Sequence, residues 1–230
     1  MFETRKSTLY VILAGIFITN AVVAELIGSK LVFVGPVAGF GPYLMSIGVA
    51  PWPVVFVTTD LINEYFGRKG VQRLSVITAG LIAYCFVLLY FAMKIPAAKG
   101  DGWVTDEQFN AIFGQSQLII IGSITAFIVS QIIDVTLFHF FKKMTGERMI
   151  WLRSTGSTVI SQLFDSFIVL GIAFYLSGKM TFDEYMMSGI TNYSVKLVIA
   201  VLMTPFIYLG HWIIEKYVHQ HDHKKQLNHE

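Results

Sequence analysis

The chain has 230 residues, 54% hydrophobic and 14% charged, with mean hydropathy +0.61 and a net charge of +2. Soluble domains average about 25% charged residues, so this composition argues against a soluble enzyme and against a disordered chain. The small net charge, with basic residues spread over loops and ends, argues against nucleic-acid binding, and the single cysteine, Cys85, excludes a disulfide framework and a Cys-based zinc site.

A helix needs about 20 mostly apolar residues to cross about 30 Å of hydrocarbon. Six segments qualify: residues 8–29, 43–64, 71–93, 117–141, 154–177 and 190–217. They predict an all-α integral membrane protein: a single transmembrane domain, built as a six-helix bundle, with a polar cytoplasmic tail over 218–230. The first span is too long for a signal peptide, and no small-x-small cleavage site follows it before Glu25 and Lys30. The stretch from Gly35 to Pro42 holds three glycines and two prolines and rules out a regular helix. Pro51 and Pro53 then interrupt the second span, which reads either as the kind of break that transporters use at binding sites or as a simple kink packed on its neighbours. In the loop from Lys94 to Ser116, Thr105 followed by Asp106 and Glu107 marks a helix start. Phe109, Ile112 and Phe113 share one face, which predicts a short amphipathic helix on the outer surface.

Lys and Arg set the orientation. With the N-terminus inside, the cytoplasmic segments carry Arg5, Lys6, Arg68, Lys69, Arg73, Lys142, Lys143, Arg148, Arg153, Lys216, Lys224 and Lys225. Outside loops keep only Lys94, Lys99 and Lys179, while Lys30 and Lys196 lie at or within spans. Both termini are therefore expected in the cytoplasm.

The third span is almost wholly apolar, whereas the other five carry polar residues. A charge at the bilayer centre costs several kcal/mol, so intramembrane carboxylates are functional candidates. The first span holds Asn20 and Glu25 and ends at Lys30. The second holds Asp60, Asn63 and Glu64 on one helix face. In the fourth, Ser123, Ser130, Gln131 and Asp134 fall within about 100° of one another, and in the fifth so do Ser154, Thr158, Ser161, Gln162 and Asp165. The sixth presents Asn192 and Lys196 one turn apart. Turned to a common centre, these stripes would line a polar cavity; the alternative is interhelical hydrogen bonding as structural glue, the reading favoured for Ser154, Ser157 and Thr158. The pattern S-Q-x-x-D occurs twice, at Ser130–Asp134 and Ser161–Asp165, on neighbouring, oppositely directed helices. At about 1.5 Å per residue, Asp60 and Asp134 lie about 12 Å above the cytoplasmic boundary and Asp165 about 18 Å. Glu25 and Lys196 come out near the external side, where an ion pair between them, or between Glu25 and Lys30, is open.

Carboxylates and amides suit a ligand with several N–H donors, and Phe138, Phe164, Phe167 and Tyr193 offer rings for stacking a flat heterocycle. No H-E-x-x-H, G-x-S-x-G or Walker A sequence is present, so no enzyme activity and no cofactor are expected. His139 lies off the polar stripe and reads as packing; His219, His221, His223 and His229 read as a solvated tail. Homo-oligomerisation stays open, because Gly-x-x-x-small patterns are common in membrane helices.

Several pieces then coincide: N-x-x-x-A-x-x-x-x-x-K from Asn20, T-T-D-L-I-N-E-Y-F-G from Thr58, S-Q-I-I-D from Ser130, R-S-T-G-S-T-V-I-S-Q-L-F-D from Arg153, and N-Y-x-x-K from Asn192 with a later T-P. Together, from about Asn20 to Pro205, they resemble the queuosine precursor transporter family, also called a vitamin uptake transporter family. The resemblance implies an importer of 7-cyano-7-deazaguanine and its aminomethyl relative in the bacterial cytoplasmic membrane. The motif residues it carries over are Asn20, Lys30, Asp60, Glu64, Gln131, Asp134, Arg153, Ser157, Gln162, Asp165, Asn192 and Lys196, and Ser161 belongs to the same stripe. On this reading Asp134 or Asp165 reads the guanine-like edge beside Gln131 and Gln162, while Glu25, Lys30 and Arg153 serve as ion-pair or gating residues. Glu25 departs from the pattern, which expects a neutral residue there. Two alternatives stand beside it: a membrane-embedded binding subunit energised by a separate ATPase, and a transporter of another heterocyclic vitamin.

Overall fold

The computed structural model describes residues 2–34, 43–114, 117–146 and 148–226. In chain order these form α1 (Phe2–Ile27), β1 (Leu31–Val34), β2 (Tyr43–Ser46), a 3-10 turn (Ile47–Val49), α2 (Trp52–Ala92), α3 (Asp106–Phe113), α4 (Gln117–Thr145), α5 (Ile150–Leu170), a π-helical turn (Gly171–Tyr175) and α6 (Phe182–Gln226). Among the described residues, five helical segments, built on α1, α2, α4, α5 and α6, are long and apolar enough to cross a membrane. The architecture is that of a helical membrane bundle.

The sequence separates residues 43–64 from 71–93 as two spans, whereas the structure joins their helical parts into α2. The junction is Gly67, at φ 70° and ψ 179°, inside an otherwise helical run. Contacts along α4 show what this residue does. Trp52 packs on Phe127, ring centroids 5.8 Å apart, and Glu64 meets Lys142 at 3.0 Å. The first half of α2 therefore runs alongside α4 in the same direction. Beyond Gly67 the order reverses: Arg68 donates to Thr136 (3.3 Å) and Ser75 to Gln131 (3.3 Å). The second half runs back, and α2 is a helical hairpin with a one-residue elbow. Tyr10 of α1 holds the elbow by donating to the Gly70 carbonyl (3.1 Å).

Between α1 and α2 lies a two-stranded antiparallel ribbon, with Leu31 opposite Ser46 and Val34 opposite Tyr43. The sequence reading has no strands here. Its glycine- and proline-rich break, residues 35–42, falls outside the described residues. The ribbon is anchored on the end of α1: Ser46 Oγ donates to the Gly28 carbonyl (2.7 Å) and accepts from Gly48 N (3.1 Å). Gly48 lies so close to α1 that a Cβ there would collide with the Ala24 carbonyl.

The surface helix is present as α3. Thr105 and Gln108 form a reciprocal capping box, and the Phe109 and Phe113 rings sit 4.8 Å apart. At the other end of the chain, α6 starts at Phe182 rather than near 190. Thr181 and Glu184 cap it reciprocally: Thr181 N donates to Glu184 Oε2 (2.8 Å) and Glu184 N to Thr181 Oγ1 (3.3 Å). The backbone stays helical to Gln226, through most of the segment read as a tail.

The apolar core joins α1, both halves of α2, α4 and α6 through residues such as Phe17, Val55, Ile62, Leu74, Ile82, Phe127 and Ile214. The outside is also apolar: Val11, Val76, Tyr84, Phe91, Leu202 and Trp212 are exposed. Polar side chains collect inside, chiefly on α2, α4 and α5. That distribution suits a chain solvated by lipid.

The elbow supplies a first test. A Cβ at Gly67 meets nothing within 4 Å, so a substitution there is penalised by backbone geometry alone. This φ/ψ region is essentially restricted to glycine. Gly67→Ala is expected to lower stability by about 1–3 kcal/mol. Gly15→Ala, in regular helix with equally open surroundings, is expected to raise it by about 0.5–1 kcal/mol. Thermal unfolding of the detergent-solubilised variants reads both signs.

Candidate functional site

The polar interior is organised around α5. Arg153, Ser154, Ser157, Thr158, Ser161, Gln162 and Ser166 are all buried, and their helical spacing keeps them on one broad face. That face meets α2 and α4, so the hydroxyls of α5 become donors to carboxylates on its neighbours.

At one end is a charge cluster. Arg153, 1% exposed, is the largest fully buried side chain among the described residues. Its Nη2 lies 2.9 Å from Glu64 Oε1 and its Nη1 donates to the Gly146 carbonyl at 3.0 Å. Lys142 Nζ reaches the same Glu64 oxygen at 3.0 Å, and the guanidinium sits 5.9 Å from the Phe138 ring centroid. One carboxylate thus ties α2, α4 and α5 together.

The next level holds two carboxylates. Ser154 Oγ donates to Asp60 Oδ2. Asp134 Oδ1 accepts from Ser157 (2.9 Å), Thr158 (3.3 Å) and Ser161 (3.3 Å). The S-Q-x-x-D copies therefore interlock, the serine of the second donating to the aspartate of the first. Asp60 and Asp134 lie within electrostatic reach of each other. Each is almost completely buried. Further along, Gln131 accepts from Ser75, and Gln162 is buried beside this level.

At the opposite end, Lys196 of α6 pairs with Asp165 of α5. Glu25 of α1 accepts a hydrogen bond from Ser123 of α4 (2.6 Å) and lies within electrostatic reach of both members of that pair. The partner of Lys196 is thus Asp165 rather than Glu25. The remaining candidates stand apart. Asn20 and Asn192 donate to carbonyls of their own helices, Ile16 and Ser188, each at 2.9 Å. Lys30 is exposed beyond α1, as is the Phe164 ring on the outer face of α5.

Sequence reasoning missed several ties. Tyr65 Oη and His211 Nδ1 lie 3.1 Å apart and link α2 to α6. Thr155 and Thr204 hydroxyls meet at 2.8 Å between α5 and α6. The T-P pair was visible, but nothing in it pointed to Thr155. Asn63 appeared on the polar face of α2 without a role; it is 1% exposed, and neither of its amide atoms has a hydrogen-bond partner. Asp60 Oδ1 is likewise buried and unpartnered. Among the described residues, no three His, Cys, Asp or Glu side chains converge as a metal site requires.

The arrangement offers a buried acceptor-rich level flanked on both sides by ion pairs. Donor groups of a ligand can compete there with protein hydroxyls for the carboxylates, at a site with little water to weaken the contacts.

Comparison with known proteins adds an independent line. Residues 46–210 match the model of a family described as "Putative vitamin uptake transporter". A probable queuosine precursor transporter of Bacillus subtilis is 28% identical over 165 residues, 71% of this chain and 70% of that protein. A protein of the same description from Haemophilus influenzae is 24% identical, over 68% of this chain and 63% of that protein. The queuosine precursor transporter of Escherichia coli is 27% identical over 67% of each chain. No solved structure matches the chain.

The charge cluster makes an asymmetric prediction. Removing Glu64 takes the carboxylate away from a guanidinium whose side chain is 2% exposed, and breaking a buried pair in this way costs about 3–5 kcal/mol. Lys142, with a side chain 28% exposed, is screened by its surroundings, and its loss is expected to cost about 1 kcal/mol or less. Glu64→Ala should therefore unfold well below Lys142→Ala in the same detergent.

Proposed function

The chain belongs to the vitamin uptake transporter family, a family of transporters rather than enzymes, and on that premise we propose that it imports 7-deazaguanine precursors of queuosine across the bacterial cytoplasmic membrane. The relatives named for queuosine precursors support the substrate class. The observation that carries the reading is the level of paired carboxylates, Asp60 and Asp134, held by α5 hydroxyls deep inside an otherwise lipid-compatible bundle.

The hairpin form of α2 supports six crossings. Left straight, its 41 residues would span about 62 Å at about 1.5 Å each, twice the hydrocarbon thickness of about 30 Å. Folded at Gly67, the five long elements give six passes, and an even number puts both termini on one side. The Lys and Arg distribution assigns that side to the cytoplasm. The elbow, with Arg68 and Lys69, and the Glu64–Arg153–Lys142 cluster then face the cytoplasm, and Asp165–Lys196 faces outward.

In this reading the substrate displaces hydroxyls at the middle level. A deazaguanine offers a ring N–H and an exocyclic NH₂, a donor pair that a carboxylate accepts in parallel. Asp60 and Asp134 suit this role better than Asp165, which Lys196 already neutralises. Ser161, Gln131 and Gln162 complete the polar lining. The two ionic layers close the path on either side, Glu64–Arg153 inward and Asp165–Lys196, with Glu25, outward. Alternating access requires them to part in turn. Asn20, Asn192 and Lys30 contribute at most to the approach.

Binding and transport test separate parts of this. Saturation with 7-cyano-7-deazaguanine at about 100 times its Kd should stabilise the purified protein by about 2.7 kcal/mol, and Asp134→Asn should abolish the shift. Proteoliposomes holding only this chain should take up the labelled compound. A shift produced by another vitamin but by no deazaguanine would sink the substrate assignment. Binding without uptake would sink the stand-alone transporter and favour an energised partner.

A further inference from the structure

Three intramembrane asparagines behave differently, and the difference singles out one of them. An asparagine in a helix can satisfy its amide by donating to the carbonyl four residues back. Asn20 and Asn192 both do so, at 2.9 Å. The threonines beside Asn63 do the same with their hydroxyls, Thr58 to the Val54 carbonyl (2.5 Å) and Thr59 to the Val55 carbonyl (2.8 Å). Asn63 does not. It is 1% exposed, and its Oδ1 and Nδ2 both lack a partner. A buried amide left unpaired opposes folding, and native proteins keep such groups rarely. One turn earlier on the same face, Asp60 is in a matching state: Ser154 holds Oδ2, and Oδ1 is buried and unpartnered.

The two residues together present a fixed pattern of an acceptor at Asp60 Oδ1 and, one turn on, an amide with two donors and an acceptor. The complementary small molecule is a planar lactam. Its ring N–H donates to Asp60, and its adjacent carbonyl accepts from Asn63 Nδ2. A 6-oxo, 2-amino ring of the guanine type has this edge. A 6-amino ring of the adenine type does not: its ring nitrogen would turn a lone pair toward the ionised Asp60 carboxylate, a repulsive contact that rotating the Asn63 amide does not remove. We propose that Asn63, acting with Asp60, is the specificity-determining residue of the substrate site, selecting lactam heterocycles over amino-substituted ones. The assignment rests on the transport reading above and adds to it the ring edge that is recognised and the residue that recognises it.

A binding role and a structural role give opposite signatures in Asn63→Leu, which keeps the side-chain size and removes the amide. If Asn63 waits for a ligand, the ligand-free variant loses no hydrogen bond, so it should melt at the same temperature or higher. Its affinity for 7-cyano-7-deazaguanine should fall at least tenfold, and the preference of guanine-type over adenine-type 7-deazapurines should collapse toward one. Asn63→Ala, which leaves space instead of bulk, should show the same loss of preference. The experiment is a melting and competition series on the full-length purified chain, with labelled 7-cyano-7-deazaguanine as the probe. A lower melting temperature in Asn63→Leu together with unchanged affinity in either variant overturns the proposal while leaving the transport reading intact. Wild-type binding of a different lactam, lost in both variants, upholds Asn63 and overturns the deazaguanine assignment. Wild-type protein that binds no lactam heterocycle overturns both.

Discussion

Arg153 is a complete guanidinium held out of water, and the rest of the bundle is arranged around the need to compensate it. Desolvating such a group costs several kcal/mol even after relaxation, so its partners must arrive with good geometry. Glu64 comes from α2 and the Gly146 carbonyl from the end of α4, while Lys142 shares the carboxylate. With three elements pinned at one point, the direction and rotation of α5 leave little freedom. The next turns of α5 then bring Ser154 to Asp60 and Ser157, Thr158 and Ser161 to Asp134. The hydroxyl ladder is a consequence of where the arginine is anchored.

Satisfaction of polar groups varies with depth. Both ends of the interior are closed by opposite charges, Arg153 and Lys142 with Glu64 at one, Lys196 with Asp165 at the other. Next to the first lie Asp60, with one oxygen unpartnered, and Asn63, whose amide is bonded to nothing; further in, Asp134 is held by three hydroxyls. Stability alone would favour apolar residues at such positions. Sites that bind are where a fold tolerates local cost, and here the cost gathers on α2 beside the inner ionic layer, where Asp60 Oδ1, both amide atoms of Asn63 and Glu64 Oε2 are buried without a hydrogen-bond partner.

Much of the fold was legible along the chain. A 20-residue apolar length, the charge bias of loops and the capping signal at Thr105 depend on local composition, and α1, α3, α4 and α5 follow them closely. The errors are local too. Thr181 and Glu184 form a capping box that starts α6 at Phe182, ahead of the apolar stretch from Ile190 that marks the span by length alone. The elbow at Gly67 was read only as the end of one span and the loop before another. Its geometry depends on one residue at positive φ, which an isolated glycine among charged neighbours does not announce.

The sequence by itself determined which residues are polar inside apolar spans and which of them share a face, because helical periodicity is a property of each segment alone. It also determined, through those residues, the family resemblance. Only the tertiary structure decided partnership. Lys196 was matched with Glu25 along the chain and took Asp165; Asp134 had no visible donor and received three; Asn20, Asn63 and Asn192 are the same side chain in the same kind of helix, and one is left unbonded. Hydrogen bonds and ion pairs act over a few ångströms between helices distant in sequence, so their pairing depends on rotation and register, and these are settled by packing the whole bundle at once.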